Sequence, residues 1–423
     1  MRRWLFFILF FLLSNTYAAK VEIVLWHSLA GQIGAEVQHL VNGFNKSQTN
    51  YFIKSVYKGE YTDTITSFAA AFKAKKPPAI IQVFEVGTGI MLSPKGIIKP
   101  LHELMLEQKQ PLPTQDFLPA LLSFYSHKGE LQALPFNTSI PVIFYNADAL
   151  AKVGVNAHNF PKTWDELEQV AAKLLANGYS CAYTSSYPAW IQIEAFSAIH
   201  GLPLVDLGAR KAVYNNKALI HHLERLKNWQ TRHYFAYGGR ASDATVLFTS
   251  GKCAMYSQSS GSYASLSELV KFSLGVAVLP LDTSISKVRH SNLNGGAALW
   301  AVAGQSDDVY RGIAQFYAYL VKPEIQQHWY QNTGYIPISL TGNYAFIAQH
   351  DAQPILALAE KELAKSSQKT LSLFSIPQNQ IRMINDEEIE AIFAGIKSPQ
   401  VAMDDAVTRA NFALLRFLRN TKH

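Results

Sequence analysis

Hydrophobic and polar positions along the chain follow two patterns, one typical of buried strands and the other of amphipathic helices. Residues 79–84, "AIIQVF", form an apolar run like those of parallel strands that are covered on both faces. Similar short runs predict further strands at residues 21–26, 52–57, 140–145, 253–256, 274–279 and 297–303. Apolar positions spaced by three and four residues predict helices at 33–44, 62–75, 189–200, 219–229 and 309–320.

The segment "KTWDELEQVAAKLLANG" predicts another helix, with clear signals at both ends. Thr163 and Glu166 have the spacing of a capping box, and Gly178 is a typical helix stop. From Tyr344 onward the pattern is nearly all helical, with a polar, proline-marked interruption at 366–380. The alternation of strands and helices predicts an α/β protein with a helical C-terminal section.

The N-terminus has the pattern of a secretory signal peptide. Arg2 and Arg3 precede an apolar run at 4–13, and small residues up to Ala18 follow, so we expect residues 1–18 to be removed and the mature chain to be exported. The apolar run is too short to span a membrane. Losing the two arginines lowers the formal net charge of +7 to +5. A mild positive charge without a lysine or arginine block indicates no nucleic-acid partner and suits small anions.

Cys181 and Cys253 are the two cysteines of the chain. Each follows a turn and begins a predicted apolar strand. An oxidising compartment would allow them to pair if the strands are neighbours, while two buried free thiols are an equal alternative. The sequence leaves both open.

Several catalytic motifs are nearly present but incomplete. A dinucleotide-type glycine motif at 87–92 ends in Leu92, Gly251-Lys252 is followed by Cys253, and Leu106 replaces the second histidine of a zincin motif. We therefore expect no cofactor and no metal. A periplasmic phosphodiesterase stays a weaker alternative, because it would need a metal cluster or an activated nucleophile.

The segment "CAMYSQSSGSYASL" changes from a strand to a helix at a serine-rich turn. Such a turn offers hydroxyls and backbone N–H groups to an anion, and Ser259 is its first serine. Other polar, aromatic and glycine residues fall at predicted strand ends and turns, where α/β proteins bind ligands. These residues are Tyr61, Glu85, Ser139, Trp190, Gly296, Tyr335 and Arg382.

Longer segments around these residues carry a family resemblance. The segments are "SVYKGEY", "QVFEVGTG", "PFNTSIPVIFYN", "AWIQIEAFSAIHGLP", "NTGYIPIS" and "NQIRMINDEEIE". From about Val21 to its C-terminus, the chain resembles the extracellular solute-binding proteins of ABC importers, and within them the glycerol-3-phosphate branch.

The resemblance implies a two-lobed α/β fold like that of maltose-binding protein, each lobe a sheet flanked by helices. It implies an N-terminal lobe of 19–137 and 284–328, and a C-terminal lobe of 138–283 and 329–423. Hinges are implied near Asn137, Leu281 and Gln331, because the chain would cross between the lobes there. The expected protein is a monomeric carrier and not an enzyme. It would deliver sn-glycerol-3-phosphate, or alternatively a glycerophosphodiester such as glycerophosphocholine, to membrane permease subunits and their ATPase.

The ligand-binding residues that the resemblance implies all keep the residue type of the family. They are Tyr61, Glu85, Ser139, Trp190, Ser259, Gly296, Tyr335 and Arg382. We expect Arg382 to bind the phosphate as a charge-assisted fork. Because a carboxylate repels phosphate, we expect Glu85 at the opposite end, accepting hydrogen bonds from the glycerol hydroxyls. Trp190 would give the carbon skeleton an apolar wall.

Overall fold

The computed structural model describes residues 19–92, 96–206, 208–345, 354–363 and 377–420. The predicted signal peptide, 1–18, and most of the predicted interruption at 366–380 lie outside these residues. The strands lie at Val21–His27, Tyr51–Tyr57, Ile80–Phe84, Ser126–His127, Glu130–Leu131, Leu134–Pro135, Pro141–Asn146, Cys181–Ser185, Val205–Asp206, Lys211–Ala212, Phe235–Tyr237, Cys253–Ser259, Leu274–Val278 and Ala297–Ala301.

The α-helices surround the strands and also make up the C-terminal section. They lie at Gly31–Ser47, Tyr61–Lys73, Thr88–Leu92, Leu101–Glu107, Pro119–Tyr125, Ala147–Ala151, Trp164–Ala176, Phe196–Ile199, Lys217–Thr231, Thr245–Thr249, Tyr263–Leu269, Asp307–Leu320, Pro323–Thr333, Pro354–Leu363, Gln378–Phe393 and Pro399–Asn420. In the part of the chain that the structure describes, none of them is long and apolar enough to cross a membrane.

The first five-stranded sheet is built mainly from the N-terminal part of the chain. Its spatial order is Tyr51–Tyr57, Val21–His27, Ile80–Phe84, Ala297–Ala301 and Leu134–Pro135. The first three strands are parallel, and Ala297–Ala301 runs antiparallel to both of its neighbours. Ile80–Phe84 is buried along its whole length, as its apolar run predicts.

The second five-stranded sheet has the same plan. Its spatial order is Phe235–Tyr237, Cys181–Ser185, Cys253–Ser259, Pro141–Asn146 and Leu274–Val278. The first three strands are again parallel, and the last two add antiparallel pairs. The parallel register sets Cys181 opposite Cys253, and the two form a disulfide, which resolves the alternative that the sequence leaves open.

Three chain segments meet between the two sheets. Ser139 pairs with Gly295 through two backbone hydrogen bonds of 3.1 and 2.8 Å, and the Ile336 N–H donates to the Thr138 carbonyl at 2.8 Å. Leu281, near which the resemblance implies a hinge, is not part of this group: it pairs with Thr163 next to the second sheet. We name the three paired segments, 137–140, 293–296 and 334–337, the crossing ribbon.

Among the described residues, the core consists of two large hydrophobic clusters and a small third one formed by Phe84, Val86 and Ala297. The first packs around the first sheet and includes Trp329 and Tyr330 of the helix Pro323–Thr333. The second packs the second sheet against the last two helices, Gln378–Phe393 and Pro399–Asn420. The lobe boundaries and hinges implied by the resemblance stay predictions.

Two local structures differ from the sequence expectation. The segment predicted as one helix at 189–200 is a π-helix over Ala189–Ala195 followed by the short α-helix Phe196–Ile199. Arg382 lies inside the helix Gln378–Phe393 and not in a turn. The predicted capping box is confirmed, since the Glu166 N–H donates to Thr163 Oγ1 at 3.2 Å and the Thr163 N–H donates to the Glu166 carboxylate at 3.0 Å.

Candidate functional site

A cleft of about 520 Å³ opens where the ends of strands from both sheets face each other. All eight residues predicted as ligand-binding line this one cleft, although their sequence positions range from 61 to 382. The strand Ile80–Phe84 leads into the first-sheet side, and Cys253–Ser259 leads into the second-sheet side. The ligand-binding role of these residues stays a prediction.

Arg382 stands at the centre of a buried group of charges in the cleft. Its Nε and Nη2 donate to the two carboxylate oxygens of Glu194 at 2.8 and 2.5 Å. Its Nη1 donates to Glu85 Oε1 at 2.6 Å. The side chains of both glutamates are less than a tenth exposed. We name Glu85, Glu194 and Arg382 the charge triad; with both carboxylates ionised, it has one net negative charge.

The environment shifts the pKa values of Glu85 and Arg382. Burial raises the pKa of Glu85, and the neighbouring Arg382 only partly offsets that effect. Burial alone would lower the pKa of Arg382, but the carboxylates of Glu194 and Glu85 outweigh it and hold that pKa above its ordinary value. Arg382 is therefore a permanent cation inside the cleft.

The expected separation of Glu85 from Arg382 is wrong. That expectation treated phosphate as the partner of Arg382, whereas the structure pairs the guanidinium with two protein carboxylates. Three of the five guanidinium N–H groups are engaged in this way, so Arg382 keeps two donors for other groups.

The serine turn lies on the second-sheet side of the cleft. The strand Cys253–Ser259 runs into a short 3₁₀ turn, and the Gly261 N–H donates to Ser259 Oγ at 3.2 Å. Because that bond uses a lone pair of the hydroxyl, Ser259 keeps its O–H as a donor toward the cleft.

Ser139 and Gly296 lie on the crossing ribbon. Gly296 has a φ of 92°, and a Cβ there would lie 1.8 Å from the Asn137 carbonyl oxygen. Glycine is thus required by backbone conformation and by space. Ser139 is almost fully buried beside it, with its backbone engaged in the ribbon and its side chain at the cleft wall.

Two tyrosines complete this part of the wall. The Asn137 side-chain amide donates to Tyr61 Oη at 2.9 Å, and the Tyr61 ring stacks on Phe84 at 5.0 Å. Tyr335 packs so closely over Gly261 that a Cβ there would lie 2.2 Å from its ring. Burial raises the pKa of both tyrosines, so both stay neutral O–H donors.

Trp190 and Tyr187 form an aromatic corner. Their rings meet edge to face with centroids 6.4 Å apart. The Trp190 side chain is buried, and its Nε1 has no hydrogen-bond partner among the described residues. Tyr187 has a φ of 44°, a conformation that non-glycine residues rarely adopt and that is concentrated at functional sites.

Sequence reasoning missed two acidic residues at the site. Glu194 is the one charged residue in the apolar stretch 189–199, a pattern that predicts a buried, paired carboxylate. Asp386 follows Arg382 by four residues and therefore lies on the same helix face, toward the cleft. Both signals were available, but neither residue stands at a strand end or turn.

A metal site is not formed by the described part of the chain: it contains no group of three or more histidine, cysteine, aspartate or glutamate side chains suited to one. The cleft wall combines neutral donors, a charged group and an aromatic corner, and these lie close together: the Glu85 N–H donates to the Gly296 carbonyl at 3.0 Å, and a Cβ at Gly295 would lie near both Trp190 and Ser139.

Residues 39–344 match the family of bacterial extracellular solute-binding proteins. The chain belongs to this family. Its strand order, helix-flanked sheets and inter-sheet cleft agree with the fold that the sequence resemblance implies.

Full-length relatives of this solute-binding protein carry a more specific description. The chain is 39% identical over 424 residues to the sn-glycerol-3-phosphate-binding periplasmic protein UgpB of Yersinia pseudotuberculosis, covering 97% of this chain and 96% of that protein. It is 37% identical over 428 residues to the protein of the same name from Escherichia coli O6:K15:H31, with the same coverage of both.

Solved structures show that the fold prediction is confirmed. UgpB from Mycobacterium tuberculosis in complex with glycerophosphocholine superimposes with a TM-score of 0.78 at 19% identity, covering 95% of this chain and all of that one. Maltose-bound MalE3 from T. maritima gives a TM-score of 0.77 at 15% identity, covering 93% and 99%. The solute-binding protein thus has the two-lobed fold of maltose-binding proteins.

Proposed function

We propose that this protein captures sn-glycerol-3-phosphate in the inter-sheet cleft and delivers it to the permease subunits of an ABC importer. The observation that carries the proposal is a single cleft whose wall combines neutral hydrogen-bond donors, the buried charge triad and an aromatic corner. The names of relatives that match over nearly their whole length support the same ligand. In this role the protein binds and releases its ligand unchanged, as a monomer.

The proposed location is the periplasm. The relatives named above are periplasmic proteins, and residues 1–18 have the pattern of a cleaved signal peptide. The disulfide between Cys181 and Cys253 suits an oxidising compartment.

The charge distribution supports one orientation of the ligand. A phosphate monoester has a charge of about −1.5 to −2 at pH 7. It is repelled by the net negative charge triad and favoured by neutral O–H and N–H donors. We therefore propose that phosphate binds the hydroxyls of Ser139, Ser259, Tyr61 and Tyr335 and the backbone N–H of Gly296.

The glycerol end then faces the charge triad. Glu85 can accept a hydrogen bond from a ligand hydroxyl, and the two remaining N–H groups of Arg382 can donate to its oxygens. Trp190 provides an apolar wall for the carbon skeleton and an unpaired N–H. This orientation keeps Glu85 at the polyol end and moves Arg382 there with it.

Glycerophosphodiesters are a second candidate ligand class. The cleft volume of about 520 Å³ lies within the range of about 300–1,000 Å³ found for drug-sized ligands, more than a three-carbon phosphate fills. The solved neighbour from Mycobacterium tuberculosis was crystallised with glycerophosphocholine.

Isothermal titration with sn-glycerol-3-phosphate, glycerophosphocholine and inorganic phosphate tests the proposal. We expect Ser259→Ala to weaken both sn-glycerol-3-phosphate and inorganic phosphate, and Glu85→Gln to weaken only the ester. Ser267→Ala is the matched control, because Ser267 is exposed on the adjoining helix outside the cleft. If the protein binds neither sn-glycerol-3-phosphate nor glycerophosphocholine, the proposal is wrong. If the protein releases phosphate from these esters, it is a phosphodiesterase or phosphatase instead.

A further inference from the structure

Asp386 lines the cleft on the same helix face as Arg382. Its Oδ1 is buried and has no hydrogen-bond partner among the described residues. Buried polar atoms in folded proteins nearly always have a partner, so an unpaired carboxylate oxygen at a cleft wall calls for an explanation.

The carboxyl group of Asp386 lies near the protein backbone as well. The Ala189 N–H, at the first residue of the π-helix, is close enough to oppose the rise in the pKa of Asp386. Asp386 therefore lies near the start of the π-helix that carries Trp190 and Glu194, and its Oδ1 has no partner among the described residues.

The nearby cations do not pair with that oxygen. The guanidinium of Arg382 is held by Glu194 and Glu85, and Arg240 pairs with Glu390. Burial raises the pKa of Asp386 to about 7, with the carboxylate of Glu194 adding to the effect and the two arginines opposing it. A donor that arrives with a ligand would stabilise the ionised carboxylate.

We infer that Asp386 is a specificity-determining residue, whose Oδ1 accepts a hydrogen bond from a hydroxyl of the ligand's polyol part. The inference rests on the proposed function and deepens it. With Glu85, Glu194 and Asp386 around one arginine, this end of the cleft excludes phosphate and selects a hydrogen-bond donor.

A purely structural role makes a different prediction. If Asp386 only stabilises the start of the π-helix, its replacement loosens Trp190 and Glu194 and weakens every ligand alike. If Asp386 accepts a hydrogen bond from a ligand hydroxyl, its replacement weakens the binding only of ligands that have that hydroxyl. A thermodynamic cycle in which both the ligand and the residue are varied separates the two roles.

The test uses the mature full-length protein and two ligands, sn-glycerol-3-phosphate and n-propyl phosphate, which has the same carbon chain without hydroxyls. For Asp386→Asn at pH 8, where the wild-type carboxyl group is mainly ionised, we expect affinity for sn-glycerol-3-phosphate to fall about tenfold, because a charge-assisted hydrogen bond is lost. Affinity for n-propyl phosphate should stay within about twofold of the wild type. Glu387→Gln is the matched control, since Glu387 is the next residue, is exposed and pairs with Arg409.

Equal losses for the two ligands in Asp386→Asn, or no loss for either, overturn the inference and leave the proposed function intact. Asp386→Ser serves as a second variant if the asparagine protein does not fold, and the same ratio of affinities decides the outcome. A wild-type protein that binds neither ester overturns the proposed function and this inference with it.

Discussion

Lowering the pH should destabilise this protein through His200. The His200 side chain is buried, and its Nε2 accepts a hydrogen bond of 2.7 Å from the Asp282 backbone N–H. The proton of the neutral ring is therefore on Nδ1, which lies 2.7 Å from the Phe196 carbonyl oxygen. A second proton on Nε2 would point at an N–H group, so the folded protein favours the neutral ring.

The size of the effect follows from the pKa of His200. Burial lowers this pKa from 6.5 to about 4. Between these values the unfolded chain binds more protons than the folded one, so the free energy of unfolding falls as the pH falls. The neutral His200 ring makes its full contribution to the free energy of unfolding above pH 6.5, and this contribution is lost as the pH falls toward 4. The full contribution is about 3 kcal/mol, of which about 2 kcal/mol is lost by pH 5.

Urea unfolding followed by tryptophan fluorescence between pH 5 and 7.5 measures this change. His200→Gln keeps an oxygen for the Asp282 N–H but cannot titrate, so its free energy of unfolding should depend less steeply on pH than that of the wild type. His158→Gln changes an exposed histidine and serves as the control. Parallel pH profiles for wild type and His200→Gln would refute the reasoning.

Other predictions concern the cleft and the disulfide. Arg382→Ala leaves two buried carboxylates facing each other, so we expect it to weaken sn-glycerol-3-phosphate binding by roughly 2–5 kcal/mol, measured by titration; unchanged affinity would remove Arg382 from the site. Gly296→Ala should lower the free energy of unfolding by about 2–4 kcal/mol in urea unfolding, because its Cβ would lie 1.8 Å from a carbonyl oxygen and its φ is positive; a wild-type midpoint would contradict this. Cys181 and Cys253 should resist alkylation in denaturant until reductant is added, whereas two thiols titrating without reductant would exclude the disulfide. Small-angle scattering should show a smaller radius of gyration with sn-glycerol-3-phosphate than without, and tight binding with an unchanged radius would exclude lobe closure.

Much of the fold could be predicted because its signals are local. The apolar run of Ile80–Phe84 and the capping box at Thr163 depend on residues that are close in sequence. The disulfide was undecided for the opposite reason. Its formation depends on the order of strands in a sheet, which places Cys181 and Cys253 in register across 72 positions.

Contacts between residues that are distant in sequence could not be predicted in the cleft either. The resemblance pointed to eight residues that line one cavity, but their mutual partners could not be predicted. Arg382 pairs with Glu85 and Glu194, which are 297 and 188 positions away in sequence. Reasoning from one ligand and one arginine overlooked the fact that a buried guanidinium needs protein carboxylates even when no ligand is bound.

The crossing ribbon has a kinematic consequence for the site. Ser139, Gly296 and Tyr335 each belong to one of its three segments, so the backbone hydrogen bonds between the segments fix the spacing of these three residues. We predict that rotation of the two sheets about the ribbon leaves this trio assembled and changes the distance between Glu85 and Arg382. In the proposed ligand orientation, phosphate would bind first to these three residues, whose mutual distances do not change. Closure of Glu85 and Arg382 over the glycerol would then set the dissociation rate of the ligand.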